Sequence, residues 1–282
     1  MQRNEPFESF IMVPPLVLWT VYYYNTPVEI LNPQSTCAIL REKIISVESE
    51  RSVLVGSFWG IPQMTPEGLF KILLENYGPQ GWWPANSFDE LCVGAILVQN
   101  TSWDNARKAI SNLAKAGLIS FEAIKAASLD DIIEAVYPAG TYRRKSAVLK
   151  AFSEDFSSDF GTVATFRSIA TDSARRWLLQ RKGIGFETAD SILCYGAERA
   201  LLVVDAYTRR LSKRLGWLSL EKPSYEAFQR HLQGKLPCSS RALGEFHALV
   251  VFHCKKFCKR HPDCTTCVLA EHCFFDMSAG PL

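Results

Sequence analysis

The sequence predicts an all-α fold. From residue 65 onward, apolar residues recur at helical spacing in segments separated by short turns. Strand signals are weak and short, the clearest being the apolar run at 201–204. The chain has 282 residues, of which 48% are hydrophobic, and this is enough for a proper core. Without internal repeats or low-complexity segments, we expect a globular helical protein.

Caps and breakers delimit the individual helices. Ser87 precedes Glu90 by three residues, which is the spacing of a capping box. Ser128 with Asp131 starts another helix, and Pro138 closes it. The remaining expected helices cover 142–155, 172–180, 188–195, 207–215, 224–233 and 241–257, with stops at Gly196 and Gly216.

Residues 1–63 differ from the rest of the chain. They mix short apolar runs with several prolines and show no sustained helical period. Two explanations remain open. The segment is either a genuine extension or the product of an overlong gene model with Met64 as the true start. We assign it no function and treat 64–282 as the functional domain.

Charge and hydropathy restrict the partners and the compartment. The net charge is only +2, so binding to a polyanion must come from local clusters. The segment 181–216 holds seven Lys or Arg against four Asp or Glu, and 255–260 holds four basic residues and no acid. No run reaches the roughly 20 apolar residues of a membrane span. We therefore expect an intracellular protein of the cytoplasm and nucleoid, or of the nucleus, without a membrane partner.

Four cysteines near the end of the chain indicate a metal site. The chain has nine cysteines, an odd number that does not fit a framework of disulfides. Iron-sulfur clusters favour four cysteine ligands, whereas structural zinc usually takes two close pairs. Only one close pair is present here, which favours an iron-sulfur cluster, with zinc and unligated thiols as the alternatives. The array is C-x5-C-x2-C-x5-C, formed by Cys258, Cys264, Cys267 and Cys273.

Three other cysteines have simpler interpretations. Cys254 lies one helical turn before the array and is a possible substitute ligand. Cys92 and Cys194 lie on apolar helix faces. We interpret both as small core residues.

A glycine turn in the middle of the chain suits a phosphate group. Gly183, Ile184 and Gly185 form a tight turn that leads directly into a predicted helix. Such a turn presents backbone NH groups and the positive end of a helix. Arg181 and Lys182, just before the turn, add formal positive charge. The segment is therefore a candidate anion-binding site.

A single carboxylate follows this turn about twenty residues later. Asp205 comes after the apolar run at 201–204 and before Tyr207 and two arginines. A carboxylate in this setting has two interpretations, a functional group or the N-cap of the helix that begins near Tyr207.

The glycine turn, the aspartate in VVDAYTRR and the four-cysteine loop together resemble the helix-hairpin-helix DNA glycosylases of the endonuclease III superfamily, over roughly residues 66–273. The resemblance implies a two-lobed all-α fold that binds double-stranded DNA containing a damaged base. It also implies a 4Fe-4S cluster in the loop 254–273, and a monomer. In that family the hairpin grips the DNA backbone while one nucleotide is flipped into a pocket.

The resemblance assigns roles to individual residues. Asp205 falls on the catalytic aspartate of the family. Gln99, in LVQNTS, is similar to the polar residue that fills the gap left by the flipped base. The segment GTYRRK at 140–145 resembles a glycine-aromatic-lysine segment of the other lobe, which makes Lys145 a DNA-binding candidate.

One departure from the family pattern concerns the mechanism. Bifunctional members carry a nucleophilic lysine in the hairpin motif, and here that position is Glu187. A lysine amine can attack the sugar C1′, form a Schiff base and go on to cut the strand, whereas glutamate cannot. We therefore expect a monofunctional glycosylase that uses water. Asp205 would stabilise the oxocarbenium charge, orient the water, or do both. The family proline before the hairpin glycine is also absent, with Lys182 in its place.

The tryptophans point to a class of base. Trp82 and Trp83, followed at a distance by Trp103, resemble the 3-methyladenine DNA glycosylase III branch. An alkylated purine carries positive charge, and stacking it on tryptophan gains about 0.5–2 kcal/mol of cation–π energy. We expect Tyr142 to join these residues in the base pocket. The alternative is that the tryptophans only pack between the lobes.

Two other functions remain open at this stage. An endonuclease III-like enzyme would act on oxidised or mismatched pyrimidines, with Lys182 or Lys145 replacing the missing nucleophile. A DNA-binding iron-sulfur protein without catalysis is the third hypothesis.

Overall fold

The computed structural model describes residues 64–217 and 223–275. Every regular element in these two ranges is helical, so the all-α prediction is confirmed. The extension predicted for residues 1–63 lies outside the described residues. Within them, no helix has the length and apolar character that crossing a bilayer requires.

The helices follow one another through short turns. In chain order they are α1 (Pro66–Tyr77), α2 (Phe88–Leu97), α3 (Trp103–Lys115), α4 (Phe121–Ala126), α5 (Leu129–Val136), α6 (Tyr142–Asp159), α7 (Val163–Ser168), α8 (Thr171–Leu179), α9 (Phe186–Ser191), α10 (Ala206–Arg214), α11 (Tyr225–Gln233) and α12 (Ser240–Lys256). A π-helical turn, Ile192–Gly196, continues α9, and single 3-10 turns occur at Tyr137–Ala139 and Ala270–His272.

The predicted caps form, with one shift. The Ser87 hydroxyl accepts a hydrogen bond from the Glu90 amide at 3.1 Å. The Glu90 carboxylate reaches back to the Asn86 amide at 3.0 Å rather than to that of Ser87. The Ser128 hydroxyl accepts from the Asp131 amide at 3.2 Å and starts α5 as expected.

The strand-like run at 201–204 is extended chain and not a strand. Its side chains are buried, which explains the apolar signal. Two of its backbone amides donate to side chains and not to a neighbouring strand. The Leu202 amide donates to the Gln233 side chain at 2.8 Å, and the Val204 amide donates to the Tyr225 hydroxyl at 3.1 Å. Both partners lie on α11, so hydrogen bonds from side chains of this helix hold the extended run in place.

Two hydrophobic cores divide the described chain into two lobes. The first core is built from α2 to α9 and the second from α1 together with α10, α11 and α12. Helix α1 joins the second lobe because Phe70 packs edge-on against Phe246 at 6.0 Å. Cys92 and Cys194 are buried, as expected of small core residues.

A buried ion-pair network joins the lobes behind α9. The Arg175 guanidinium donates to both carboxylate oxygens of Asp190, at 2.7 and 2.9 Å. From the second lobe, Gln229 donates to Asp190 at 2.6 Å and Glu226 accepts from Arg175 at 3.2 Å. Because Asp190 is fully buried, this network fixes α9 against α11.

Candidate active site

The glycine turn connects α8 to α9 and has the geometry that glycine alone adopts easily. Gly183 has φ +87°, and a Cβ there would lie 2.7 Å from a methyl group of Val148. Ile184 is buried and anchors the turn in the first core. Gly185 precedes α9 with no side chain capping the helix, and no atom lies within 4 Å of its missing Cβ. The backbone at the start of α9 is therefore open to approach.

Replacing Gly183 with alanine is expected to destabilise the protein. The left-handed backbone costs roughly 1–2 kcal/mol for an L-residue, and the contact with Val148 adds overpacking strain. Gly185→Ala is the matched control because its φ is −98° and the space is open, so the loss there should be below about 1 kcal/mol. Urea unfolding measures both. Equal losses of unfolding free energy at the two positions would contradict the claim that only Gly183 requires glycine.

The two basic residues at the turn have different surroundings. Arg181 lies over the Trp177 ring at 4.5 Å and its guanidinium is 3.0 Å from the Asp155 carboxylate and 3.5 Å from that of Asp159. Its side chain is only 19% exposed. The Arg181 side chain is bound to α6 and α8, and its expected contact with a DNA phosphate stays a prediction. Lys182 is exposed and remains the candidate contact.

Reversing the charge at Lys182 is expected to weaken binding to every duplex alike. A lost phosphate contact lowers the slope of log K against log salt by about 1, without regard to the base. Lys182→Glu is compared with Lys71→Glu, which reverses a half-exposed lysine on α1 in the other lobe and should leave binding unchanged. Anisotropy titrations at several salt concentrations measure both. A loss confined to damaged duplexes would contradict this role.

A cavity of about 470 Å³ opens between the lobes and brings distant parts of the chain together. Its volume lies in the range of pockets that hold small molecules. The three tryptophans share one wall, with ring centroids 5.2 Å apart for Trp82 and Trp103 and 5.3 Å apart for Trp83 and Trp103. Asp205 and Glu187 line the same cavity. The aromatic and carboxylate groups predicted to act together are thus placed together.

Gln99 lies in the wall of this cavity and is bound to the hairpin. Its side-chain amide donates to the Gly183 carbonyl and to the Thr188 hydroxyl, each at 3.0 Å. It therefore ties the end of α2 to the turn. Its role in filling the gap in a duplex stays a prediction, and that role requires these two bonds to be released.

Tyr142 does not reach the cavity. Its ring packs on Tyr137 with centroids 4.8 Å apart, at the start of α6. Tyr142 is absent from the residues that line the cavity within the described chain. Its expected place in the base pocket is therefore wrong, because it pairs with the neighbouring 3-10 turn.

Lys145 is a structural residue. It is 5% exposed, and its ammonium donates to the carbonyls of Leu97 at 2.9 Å and Ala139 at 2.7 Å. Both carbonyls are at C-terminal ends of helical turns, where a cation is favoured. Burial lowers the pKa of Lys145. The expectation that it contacts DNA, or replaces the nucleophile, is wrong for these geometric reasons.

Asp205 caps α10 with one carboxylate oxygen, and its other oxygen takes no part in the cap. Oδ1 accepts from the Thr208 amide at 2.7 Å and from its hydroxyl at 2.8 Å. Oδ2 lies 3.6 Å from Nε2 of His247. Burial alone would raise the pKa of Asp205, but the interaction with His247 and the bonds from Thr208 outweigh it and lower the pKa. The N-cap interpretation is correct, but it accounts only for the contacts of Oδ1 and not for those of Oδ2.

The pKa of Glu187 is shifted in the opposite direction to that of Asp205. Glu187 lies in the first turn of α9, in contact with water but within the cavity wall. Partial desolvation and then repulsion from Asp205 raise its pKa, against a smaller lowering by His247. Two carboxylates whose pKa values are displaced in opposite directions are typical of catalytic sites.

Sequence reasoning missed His247 and Lys255, which also line the cavity. Both lie on α12, far along the chain from Asp205. No local motif marks them. The available signal for His247 was a polar residue on the apolar face of a predicted helix.

The four cysteines share a second, smaller cavity of about 80 Å³, with Arg214 and His253 in its wall. The Arg214 guanidinium donates to the Cys258 thiol at 2.9 Å. A hydrogen bond from Cys254, followed by Arg214, lowers the pKa of Cys258. Within the described chain, no three His, Cys, Asp or Glu side chains are already grouped to hold a metal ion. The cluster therefore stays a prediction.

Comparison with known proteins identifies the family. Residues 93–238 match the model of the HhH-GPD superfamily base excision DNA repair protein. The chain belongs to the HhH-GPD superfamily. A Methanocaldococcus jannaschii protein with the name "Putative DNA repair glycosylase" is 41% identical over 207 residues, which are 73% of this chain and 94% of that relative.

Solved structures of HhH-GPD proteins share the fold. The H. pylori 3-methyladenine DNA glycosylase bound to 1,N6-ethenoadenine superposes with a TM-score of 0.58 at 28% identity, covering 68% of this chain and 98% of that one. A non-covalent endonuclease III–DNA complex gives 0.61 at 19% identity, covering 72% and 91%. The predicted superfamily and the two-lobed helical fold are therefore confirmed.

Proposed function

We propose that this HhH-GPD protein is a monofunctional DNA glycosylase with Asp205 as the catalytic carboxylate. The observation that carries the proposal is the shared cavity. It holds an ionised aspartate, three tryptophans, and a glutamate at the position where bifunctional members have lysine. The partner is double-stranded DNA with one damaged nucleotide turned into the cavity, and the protein acts as a monomer.

The geometry supports a hydrolytic reaction. The bond between C1′ and the base nitrogen breaks, and its electron pair leaves with the base. Positive charge then develops on the sugar, where the Asp205 carboxylate stabilises it. Water adds to C1′ and gives up a proton to the solvent, so that the products are the free base and an intact abasic strand. The lowered pKa of Asp205 keeps this group ionised at neutral pH.

The substrate we propose is an alkylated, cationic purine similar to 3-methyladenine. The tryptophan wall offers cation–π stacking, and Asp205 and Glu187 add negative charge to the cavity. The positive charge of such a base already weakens the glycosidic bond, so less acid catalysis is needed. The similarity to the H. pylori glycosylase supports this choice.

A base-release assay on one matched duplex set tests the substrate. The set carries 3-methyladenine, 7-methylguanine, thymine glycol, uracil or a G·T mismatch. We expect the alkylated purines to be released fastest. Release confined to thymine glycol, uracil or mismatched thymine would overturn the assignment and favour the endonuclease III-like alternative.

That alternative needs an amine near the reacting sugar. Lys145 is bound to two carbonyls, and Lys182 is not among the residues that line the cavity in the described chain. Lys255 lines the cavity and is exposed, so it is the amine to test. If borohydride traps a covalent complex that Lys255→Met removes, the alternative is correct.

We propose that Cys258, Cys264, Cys267 and Cys273 hold a 4Fe-4S cluster. The four thiols line one cavity, and the Arg214 guanidinium is placed to bond a thiolate there, which fits an anionic cluster. The cluster would fasten the loop 254–273 to α10 and α12. The Cys254 sulfur lies 3.7 Å from the Tyr207 carbonyl, and Cys254 does not line that cavity. Iron content and broad visible absorbance test the proposal, and a colourless zinc protein would overturn it.

A further inference from the structure

A buried pair of hydrogen bonds joins Gly244, Tyr195 and His247, and the His247 ring faces Asp205. The Tyr195 hydroxyl lies 2.6 Å from Nδ1 of His247 and donates to the Gly244 carbonyl at 2.9 Å. A hydroxyl carries one proton, and Gly244 receives it. His247 must therefore donate its Nδ1 proton to the Tyr195 oxygen. This assignment fixes the orientation of the imidazole ring.

The orientation leaves Nε2 of His247 directed at Asp205. Nε2 is buried and has no hydrogen-bond partner in the described chain, while Oδ2 of Asp205 is 3.6 Å away. A lone pair on Nε2 would repel the carboxylate. A proton there gives an ion pair instead, and a buried polar atom without any partner is costly. The geometry therefore favours an Nε2–H that faces Oδ2 of Asp205 across 3.6 Å.

A glycine on α12 allows the Tyr195 ring to approach the helix that carries His247. Tyr195 belongs to the π-helical turn that continues α9, and its ring lies against Gly244 of α12. A Cβ on Gly244 would lie 2.8 Å from that ring. Trp83 also packs against Tyr195, with ring centroids 5.7 Å apart. Tyr195 is thus held between the base-pocket wall and the helix that carries His247.

We infer that His247, oriented by Tyr195, is a positioning residue that fixes Oδ2 of Asp205 and keeps this carboxylate ionised. The inference rests on the proposed glycosylase function. His247 acts through Asp205 and takes no part in bond breaking. Burial disfavours the charged form of the Asp205 carboxylate, whose Oδ1 caps α10, and His247 offsets this effect at Oδ2.

The charged and titratable neighbours determine the direction of the effect. Those that face the Asp205–His247 pair or its partner Tyr195 are Glu187, Cys194, Tyr207, Glu245, Cys254 and Lys255. Glu187 repels Asp205, and burial opposes its ionisation. Without His247, these influences would raise the pKa of Asp205. Because only the ionised form stabilises the sugar cation, activity would then be lost at a higher pH as the solution is acidified.

The test is the pH profile of single-turnover base release for His247→Gln and Tyr195→Phe. Both variants should move the acid limb of the profile to higher pH. Their rate of base release should be several-fold below that of the wild type at low pH and should approach the wild-type rate as the pH rises. His247→Gln should show the larger shift. Tyr77→Phe is the matched control because it removes a similar bond, 2.9 Å to Nδ1 of His253, away from Asp205. Its acid limb should coincide with that of the wild type.

A second measurement does not depend on activity. The 13C signal of the Asp205 carboxyl, assigned with Asp205→Asn, is followed as the pH falls in the wild type and in both variants. We expect protonation at higher pH in His247→Gln. Unchanged titration and an unmoved acid limb, or a uniform loss of rate at every pH, would overturn the inference. An inactive wild type would instead overturn the proposed function, while the titration would still report on the pair.

Discussion

Asp205→Asn is expected to lower base release by about 10²–10³-fold while the protein stays folded. Asparagine keeps an oxygen that can accept from the Thr208 amide and hydroxyl, so the cap of α10 survives. The negative charge that stabilises the sugar cation is lost. Single-turnover kinetics with excess enzyme measure the rate, and thermal unfolding checks the fold.

Asp205→Ala separates the two roles of this residue. It removes the charge and the cap together, so we expect the same loss of rate with an additional destabilisation of about 1 kcal/mol. If Asp205→Asn released every base at the wild-type rate, capping would be the whole role of the residue. If no variant and no wild-type preparation released a base, the DNA-binding protein without catalysis would be the better hypothesis.

Glu187→Lys is expected to create a covalent step that is absent from the mechanism we propose for the wild-type protein. The new amine would lie in the cavity beside Asp205, at the position that the family resemblance assigns to the nucleophile of bifunctional members. It can attack C1′ as the base leaves and form a Schiff base. Borohydride should then trap a protein–DNA complex with the variant and none with the wild type.

Glu187→Gln is the control for this gain. It removes the carboxylate without adding an amine and should give no trapped complex. A trapped complex with Glu187→Gln, or with the wild type, would show that another amine reaches the sugar, and Lys255 would be the residue to replace next.

Local signals predicted the helices well. Capping residues and glycine stops act within a few residues, so Ser87 and Ser128 located helix starts correctly. The run at 201–204 was harder to interpret because its hydrogen-bond partners lie on α11, beyond the reach of any local pattern.

The candidate site was predictable only where a motif carries the information. The hairpin glycine, the aspartate and the tryptophans follow local or family patterns, and the structure places them around one turn and one cavity. Lys145 was misjudged because a basic residue in sequence does not reveal the carbonyls that bind it in the fold. The carboxylates beside Arg181 were equally unpredictable from its local sequence. His247 was missed because its relation to Asp205 exists only after the lobes pack together.

One measurement tests the central claim most directly. A duplex with a single 3-methyladenine is incubated with excess protein, and free base, strand breaks and borohydride-trapped complex are followed in the same samples. We predict release of the free base with an intact abasic strand and no trapped complex. Strand cleavage that keeps pace with base release, together with a trapped protein–DNA complex, would contradict the hydrolytic mechanism.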